Sequence, residues 1–365
     1  MYGENLTPIE VKDLLEHIFD INFKREVQTG ERPIPICIWG KHGLGKTASV
    51  YSFAKSKGWQ IAYCAPAQFE EMGDFHGLPI KAEQSNETRY LPPSWVPQSS
   101  GPGILLLDDI NRADDRILRG LMQLLQTFEM FSWKVPPLWQ IVCTANPEGA
   151  DYSVTSMDDA MLNRMLHVTM IFDVKAWANW AISNHVDTRG INFVLSYPEI
   201  VTGKKTTPRS IVQVFTQLSE IADLKKDIKK VAVIAKSGLD ENTVTSLLSF
   251  ITNDLEFLVS AEDILEANSF DSIKERIKNA AKGEGGEIRL DRLHVICTRL
   301  FLAVTSQSYQ SFSAKNRRNL ASFLKLPELP SDLRFSLHRD IASLDKEKAS
   351  VLNDEEISSL VLKAL

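Results

Sequence analysis

The hydrophobic and polar positions follow two different patterns along the chain. Between about residue 30 and residue 173, short apolar runs rich in β-branched residues alternate with longer segments of helical period. Such runs are typical of buried strands in a parallel sheet whose two faces are covered by helices. The pattern predicts strands at residues 34–39, 61–65, 103–108, 139–144 and 167–172. We therefore expect an α/β fold with a five-stranded parallel sheet as its core.

Helical periodicity dominates on both sides of this region. Residues 8–22 carry apolar side chains at spacings of three and four, which predicts an amphipathic helix. After about residue 173 the strand-like runs stop and only helical periodicity remains. Thr207 followed by Pro208 marks one helix start, because threonine caps helices and proline fits their first turn. The expected regions are an N-terminal helix (1–30), an α/β domain (31–175) and two helical regions (176–285 and 286–365).

Charge and composition narrow the possible functions. Lysine and arginine number 41 against 47 aspartate and glutamate, a net charge of −6, so the basic excess typical of nucleic-acid binding is missing. No stretch approaches the ~20 apolar residues of a membrane span, and the first thirty residues lack the apolar core of a signal peptide. We expect a cytoplasmic protein whose widely spaced cysteines are buried structural thiols: Cys37, Cys64, Cys143 and Cys297.

The most informative motif is G-x-x-x-x-G-K-T at residues 40–47, between a predicted strand and a predicted helix at 48–57. Its glycines allow consecutive backbone N–H groups to form an anion-binding nest at a helix N-terminus. Lys46 can reach the outer phosphates, and the Thr47 hydroxyl can ligate Mg²⁺. The residues expected around the phosphates are Gly40, Lys41, His42, Gly43, Leu44, Gly45, Lys46, Thr47 and Ala48.

Two carboxylates, Asp108 and Asp109, follow the predicted strand 103–108. Asp108 fits the residue that holds the magnesium shell at the end of a Walker B strand, and Asp109 fits a residue that orients the attacking water. An acidic pair at a strand end can also be a helix cap or a surface turn. We give that second interpretation to Asp114 and Asp115, at the start of a helix predicted over 116–130.

These motifs, in this order, resemble the AAA+ ATPases, and within them the MoxR-like, dynein-related branch that also contains McrB and midasin. The resemblance covers about residues 30–225. It implies a P-loop NTPase core in which Asn146, at the end of the sensor 1 strand, positions water. It further implies that Arg164 is an arginine finger acting on the neighbouring subunit's nucleotide. Arg209, at the start of the lid helix, resembles sensor 2.

Each of these three assignments has a simpler alternative. Asn146 before Pro147 is also an ordinary turn pair, and Arg164 can merely cap the C-terminus of its own helix. Arg209 can be a solvated residue of a first helical turn, although a cation there opposes the helix dipole.

The resemblance also implies an activity and partners. The chain would bind ATP and Mg²⁺, hydrolyse ATP, and form a ring of identical subunits, expected to be a hexamer. It would remodel a protein client, with a von Willebrand factor A-like protein as the implied partner. Hairpin-like segments at 69–95 and 131–137 match two family insertions that point toward the ring's pore. Their aromatic residues can either grip a polypeptide or simply pack on the domain.

One position departs from the family pattern. The family usually has Asp-Glu where this chain has Asp108-Asp109, so the second acid is one methylene shorter. A mismatch of ~1 Å at a catalytic group can cost about 100-fold in rate. Two alternative functions therefore stay open: a nucleotide-gated assembly switch with weak turnover, and a nucleic-acid motor of the McrB kind, which the charge opposes.

Overall fold

The computed structural model describes residues 2–82, 86–147, 149, 154–202, 205–283 and 287–362. Its chain forms two compact units, Met1–Asp173 and Val174–Leu365. The strands lie in the first unit and are, in chain order, β1 (Glu4–Leu6), β2 (Ile36–Trp39), β3 (Gln60–Cys64), β4 (Leu78–Lys81), β5 (Thr88–Leu91), β6 (Gly103–Leu107), β7 (Glu129–Met130), β8 (Trp133–Lys134), β9 (Trp139–Ala145) and β10 (Leu166–Met170).

Six of these strands form one parallel sheet, in the order β1-β10-β2-β9-β6-β3. The α/β class and all five predicted strands are confirmed. The sixth strand, Glu4–Leu6, corrects the prediction of a five-stranded sheet. Three residues are too few to carry a readable alternation, and this edge strand is held by its ladder to β10. Gly3 lies so close to that strand that a Cβ there would stand 2.0 Å from the His167 carbonyl oxygen.

The sheet is covered on both faces, which explains the unbroken apolar runs in the sequence. The helices of this unit are α1 (Pro8–Thr29), α2 (Lys46–Lys57), α3 (Met72–His76), α4 (Asp115–Thr127) and α5 (Asp159–Leu162). Alternate residues of β2 face opposite sides. Ile36 and Ile38 pack with α1 and α2, whereas Cys37 and Trp39 pack with α4. Strands β2, β6 and β9 are consequently buried along their whole length.

Side-chain caps mark the starts of α1 and α4. Thr7 and Glu10 form a capping box at the start of α1. Asp114 caps α4 by accepting hydrogen bonds from two backbone N–H groups. Asp115, which we also expected to cap, is instead the first helical residue and pairs with Arg119. Asp114 already holds two of the amides at the helix start, and the side chain of Asp115 lies on the helix surface.

Two hairpins extend from the first unit. β4 pairs with β5 antiparallel, as predicted for the region 69–95, and β7 pairs with β8. Residues 83–85, at the expected polar tip of the first hairpin, lie outside the described residues.

The second unit is helical, as predicted. Thr207 and Ser210 form a capping box, and Pro208 is the first residue of its helix. Residues 284–286, at the expected boundary between the two helical regions, lie outside the described residues. The helices are α6 (Val174–Ser183), α7 (Thr188–Ser196), α8 (Pro208–Leu218), α9 (Ile228–Gly238), α10 (Glu241–Asn253), α11 (Ala261–Leu265), α12 (Phe270–Ala281), α13 (Leu290–Thr305), α14 (Ala314–Leu324), α15 (Ser331–Ala342), α16 (Lys346–Ala349) and α17 (Glu355–Leu362).

The prediction of buried structural thiols is also confirmed. All four cysteines are free and buried. Over the described ranges, no helix combines the length and the apolar character that crossing a membrane requires.

Candidate functional site

The P-loop, the acidic pair and Asn146 meet at one edge of the sheet. The P-loop follows β2, the acidic pair follows β6, and Asn146 follows β9. These three strands are neighbours in the sheet and parallel, so their carboxyl ends lie side by side. In open α/β sheets, ligands bind outside the carboxyl ends of the strands.

The P-loop turns sharply from β2 into α2. Gly45 caps the helix with φ 93°, and Gly43 has φ 72°, both in the left-handed region that favours glycine. At Gly40 a Cβ would stand 2.8 Å from the backbone oxygen of Met170, so a side chain does not fit there either. The loop thereby brings backbone amides and the positive end of a 12-residue helix to the site.

Lys46 lies inside this loop and is only 5% exposed. Its ammonium group donates to the carbonyl oxygens of Gly40 (2.8 Å) and Lys41 (3.2 Å) and to Asn146 Oδ1 (3.1 Å). Burial lowers the pKa of Lys46 to about 8, and the nearby Asp109 and Asp108 partly oppose that shift. All three acceptors are neutral oxygens, so an anion entering the loop would meet a desolvated cation.

The other P-loop residues lie at graded depths around it. Gly40 is buried; His42, Gly43, Leu44, Gly45 and Thr47 are half-buried; and Lys41 and Ala48 are exposed.

The Asp108 carboxylate accepts hydrogen bonds from three hydroxyl groups. Thr47 Oγ1 and Thr144 Oγ1 donate to Oδ1 at 2.7 and 2.6 Å, and the Tyr63 hydroxyl donates to Oδ2 at 3.2 Å. Burial, together with the charge of Asp108, raises the pKa of Tyr63 to about 12, which keeps this phenol protonated.

The pair Thr47 and Asp108 fits Mg²⁺. Both side chains offer hard oxygen ligands. The Thr47 hydroxyl donates its hydrogen bond to the Asp108 carboxylate, and its oxygen lone pairs stay available for the metal. Within the part of the chain that the structure describes, no cluster of three or more His, Cys, Asp or Glu could hold a metal alone. This donor set suits a Mg²⁺ ion that arrives with phosphate oxygens and water, which supply its other ligands.

Asp109 is held in an unusual backbone conformation, with φ 50° and ψ 46°. Its N–H donates to Thr144 Oγ1 at 2.8 Å. Its side chain accepts from Asn146 Nδ2 at 2.9 Å through Oδ1, while Oδ2 pairs with Arg112 Nε at 3.2 Å. Both carboxylate oxygens of Asp109 therefore have protein partners.

Asn146 is fully buried and links the two motifs through its one amide group. Its oxygen accepts from Lys46, and its nitrogen donates to Asp109. A solvated turn residue would not lie at 0% exposure between a cation and a carboxylate. The Asn146 backbone is in turn held by Asn111, which accepts from its N–H (3.0 Å) and donates to its C=O (2.7 Å).

Four residues in this network carry no motif and were missed in the sequence: Tyr63, Asn111, Arg112 and Thr144. Thr144 had a usable signal, because it lies two residues before Asn146 and strand residues two apart share a face. Asn111 and Arg112 closely follow the acidic pair in a short 3₁₀ turn, Ile110–Arg112. No spacing rule predicts what side chains in such a turn will contact.

The two predicted arginines lie outside this network. Arg164 Nε donates to Gln126 Oε1 at 3.1 Å, and its Nη1 donates to the Ala160 carbonyl oxygen. Within one subunit this matches the helix-capping alternative. Arg209 is exposed at the second position of α8, in the other unit. Over the described ranges Arg209 has neither a hydrogen-bond nor an ion-pair partner.

The aromatic residues of the hairpins divide between packing and exposure. Trp133 is 5% exposed and its indole N–H donates to the His76 carbonyl oxygen at 2.9 Å. Phe131 is 58% exposed and stacks on Tyr90 with 4.9 Å between the ring centroids. It also packs T-shaped with His76, with 4.2 Å between the ring centroids. The packing alternative thus describes Trp133, whereas Phe131 presents a ring to solvent.

Comparison with known proteins gives limited similarity. No family model matches the chain. Midasin of Giardia intestinalis is 26% identical over 157 residues, which cover 41% of this chain and only 3% of that protein. The chain thus matches a small part of a much longer protein. Together with the P-loop sheet described above, this match supports assignment to the AAA+ ATPases at that general level.

Solved structures of RuvB from Thermotoga maritima are also similar. A point mutant of that protein is 13% identical with a TM-score of 0.39, covering 77% of this chain and 86% of that one. The structure titled Holliday junction branch migration motor is 14% identical with a TM-score of 0.37, at the same coverage.

Proposed function

We propose that this chain binds ATP with Mg²⁺ and hydrolyses it as an AAA+ ATPase of the MoxR-like branch, assembled in a ring that remodels a protein partner. The observation that carries the proposal is the network at the carboxyl ends of β2, β6 and β9. In it Asn146 joins Lys46 to Asp109, and next to it Thr47 contacts Asp108. A buried cation, a hydroxyl–carboxylate pair and a second carboxylate are the parts that phosphoryl transfer to water requires.

The phosphates of ATP would bind at the P-loop. The helix dipole of α2 and the loop amides favour their negative charge, and Lys46 would exchange its carbonyl contacts for phosphate oxygens. That exchange replaces neutral acceptors by charged ones, which form stronger hydrogen bonds.

Thr47 and Asp108 would hold Mg²⁺ on the nucleotide. When bound, the ion neutralises phosphate charge. In the protein, the Thr47 hydroxyl donates to Asp108, and this contact fixes the direction of the threonine oxygen lone pairs. Asp108 is in turn held by the hydroxyl groups of Thr144 and Tyr63.

Asp109 and Asn146 would handle the attacking water. The Asp109 carboxylate would accept a hydrogen bond from that water and polarise it, while Asn146 keeps the carboxylate at a fixed distance from Lys46. The contact between Asp109 and Arg112 occupies one of the two carboxylate oxygens. Arg112 is 44% exposed, so solvent can replace its guanidinium when the oxygen is needed for water.

Ring assembly is part of the proposal because, among the described residues, Arg164 contacts Gln126 and Ala160 rather than the residues of the network. Arg164 is half-buried near the surface, and Arg209 is exposed. The resemblance to AAA+ proteins supports a role for Arg164 on the neighbouring subunit's nucleotide, and a role for Arg209 as sensor 2. Charge neutralisation at the γ-phosphate by such arginines would make hydrolysis depend on assembly.

A protein client is favoured over nucleic acid. The exposed ring of Phe131 offers an apolar contact, and the net charge of −6 disfavours a phosphate backbone. A partner with a von Willebrand factor A-like domain rests on the resemblance to MoxR-like proteins. The four free cysteines favour a reducing compartment, in keeping with the cytoplasm.

A second candidate is a nucleotide-gated switch with weak turnover. The short side chain of Asp109 and its engagement by both Asn146 and Arg112 favour it. Both candidates share ATP binding and assembly and differ in the rate of hydrolysis per assembled subunit. A rate per subunit that stays near zero in fully assembled protein would select the switch.

The decisive experiment measures ATP binding by calorimetry with Mg²⁺ for the wild type and for Lys46→Ala. Loss of this cation should weaken ATP binding about 30-fold or more, since removing one partner of a buried charge pair costs about 2–5 kcal/mol. Lys57→Ala is the matched control, because Lys57 lies at the far end of the same helix and pairs with Glu16. Equal affinity in the wild type and Lys46→Ala would refute the P-loop assignment.

A further inference from the structure

Thr144 is the one side chain that contacts both acids of the pair across the described part of the site. It lies on β9 and is fully buried. Its hydroxyl donates to Asp108 Oδ1 at 2.6 Å and accepts the N–H of Asp109 at 2.8 Å. A hydroxyl has one proton to donate, so the contact to Asp108 uses its full donor capacity.

Packing alone does not explain a hydroxyl at this position. Every residue of β9 from Trp139 to Ala145 is buried, and valine has nearly the shape of threonine. Burying an unbonded hydroxyl costs about 1–3 kcal/mol, whereas valine carries no such cost. The hydroxyl is matched instead by one donor and one acceptor, and both belong to the candidate catalytic pair.

The contact to the Asp109 amide fixes a backbone conformation that a non-glycine residue seldom adopts. Left-handed geometry costs an L-residue about 1 kcal/mol or more, so something must hold it. At Asp109 the N–H is held by Thr144, and the side chain is held by Asn146. The direction of the Asp109 carboxylate therefore depends on both contacts, the one to its backbone N–H and the one to its side chain.

The contact to Asp108 acts on the metal side. Oδ1 of Asp108 accepts from Thr47 and Thr144 together, which leaves the carboxylate little freedom to rotate. Since the same Thr144 oxygen reaches the Asp109 amide, a shift of one acid moves the other.

We propose that Thr144 is a positioning residue that couples the two carboxylates, aligning the Asp109 side chain for water with the Asp108 side chain for the magnesium shell. The inference rests on the proposed ATPase function and deepens it. Thr144 touches neither nucleotide nor water in this role and acts only through the two acids.

The test compares Thr144→Val, which removes the hydroxyl and keeps the shape, with Thr144→Ser, which keeps the hydroxyl. The control is Thr169→Val, because Thr169 is a buried threonine of the same sheet whose hydroxyl donates to the Tyr2 carbonyl oxygen at 2.8 Å. Three quantities are measured: hydrogen exchange of the segment containing Asp109 in nucleotide-free protein, the Mg²⁺ concentration at half-maximal rate, and kcat.

Thr144→Val should accelerate hydrogen exchange at the Asp109 amide, raise the Mg²⁺ requirement and lower kcat. The last two effects should be about 10–100-fold, the size typical when a residue that holds a metal ligand is removed. ATP affinity without Mg²⁺ should stay near wild type, because the P-loop is untouched. Thr144→Ser should keep all three values within about threefold of wild type, and Thr169→Val should do the same.

The proposal is overturned if Thr144→Val behaves like Thr169→Val in all three measurements. Should Thr144→Val fail to fold, Thr144→Ser and Thr144→Ala replace the pair, since both lack the γ-methyl and differ only in the hydroxyl. Exchange is measured without nucleotide, so it tests the contact even if the wild type fails to hydrolyse ATP. A wild type that does not bind ATP contradicts the proposed function and leaves the exchange comparison to decide the role of Thr144.

Discussion

The two halves of the candidate machinery differ in how complete they are within one chain. The half for phosphate, metal and water is assembled, since Lys46, Thr47, Asp108, Asp109 and Asn146 lie in hydrogen-bond contact around buried strand ends. The arginine half is not assembled in this way. Arg164 bonds to Gln126 and to the Ala160 backbone, and Arg209 is exposed in the other unit.

This difference follows from what each half must do. Polar groups at buried strand ends must find partners inside the fold, because an unpaired buried polar group costs about 1–3 kcal/mol. A surface arginine has no such need, because water solvates it until a partner arrives. An interaction that is made only on assembly can therefore leave no contact in a single chain, whereas a pocket for phosphates must be built before the ligand binds.

The comparison is tested most severely at Arg164. If this arginine serves a neighbouring subunit, Arg164→Ala should bind ATP nearly as the wild type does and lose about 10³-fold or more in kcat, as removal of an arginine finger does. Mixing it with Lys46→Ala subunits should partly restore turnover, because one variant keeps the pocket and the other keeps the finger. The measurement is steady-state ATPase of each variant and of the mixture.

The control for this experiment is Arg119→Ala. Arg119 is an exposed arginine of the same unit that pairs with Asp115 on its own helix. It should keep wild-type turnover. If mixtures that assemble as the wild type does show no rescue, Arg164 acts only as a cap on its own helix, and the arginine half must be sought elsewhere.

Asp109 tests the assembled half. Asp109→Asn keeps the size and can still accept from Asn146, but it loses the charge that polarises water. We expect tight ATP binding and a kcat lower by about 10²–10⁴, the contribution typical of a general base. Single-turnover hydrolysis separates this loss of chemistry from slow product release. A variant that turns over at the wild-type rate would remove Asp109 from the mechanism.

The glutamate variant distinguishes a motor from a switch at the same position. A site shaped for the family's usual glutamate should hydrolyse faster with Asp109→Glu, whereas a site rebuilt around aspartate should slow through crowding. We expect the faster outcome, because the Asp109 side chain is one methylene shorter than the usual glutamate and both of its carboxylate oxygens are engaged, by Arg112 and Asn146. A slower variant would indicate a site rebuilt around aspartate, and the short side chain of Asp109 would then no longer favour the switch.

The sequence was most informative where local pattern decides structure. Strands β2, β6 and β9 could be predicted because they are buried along their whole length and form unbroken apolar runs. The P-loop could be predicted because its turn requires glycines with positive φ. The edge strand Glu4–Leu6 escaped because three residues carry no period. Its pairing with β10 joins segments far apart in the chain, as in Glu4 with Val168, which no local pattern encodes.

The missed site residues escaped for a related reason. Asn111 and Thr144 belong to different strand ends, and only the sheet order brings Asn111 to Asn146 and Thr144 to Asp108. Motifs mark residues that meet a ligand, whereas residues that hold those residues are defined by contacts across strands. Arg112 shows the same limit, since its ion pair with Asp109 depends on a left-handed residue in the turn.

The smallest expected effect concerns the charge of Lys46, and it sharpens the claim that the phosphate half is preformed. Burial lowers the pKa of Lys46 to about 8 in the free protein, and only the protonated amine attracts phosphate. Phosphate oxygens would raise that pKa again, so above about pH 8 each binding event must take up a proton. The Kd for ATP should be flat below about pH 7 and rise toward tenfold per pH unit above about pH 8.

Calorimetry in two buffers of different ionisation enthalpy measures this proton uptake directly, and it should approach one proton at about pH 9 because the bound amine is charged while the free one is largely neutral. The terminal phosphate is not the source of the proton effect, since its own pKa is about 6 and it is ionised throughout this range.

Lys46→Arg supplies the matched control: a guanidinium stays charged, so this variant should bind ATP with no pH slope between about 7 and 9, whatever its absolute affinity. A wild-type Kd that is equally flat would mean that Lys46 is already fully protonated in the free protein across this range. In that case the carboxylates of Asp108 and Asp109, which oppose the effect of burial, would outweigh it, and the phosphate half would owe its readiness to them rather than to desolvation.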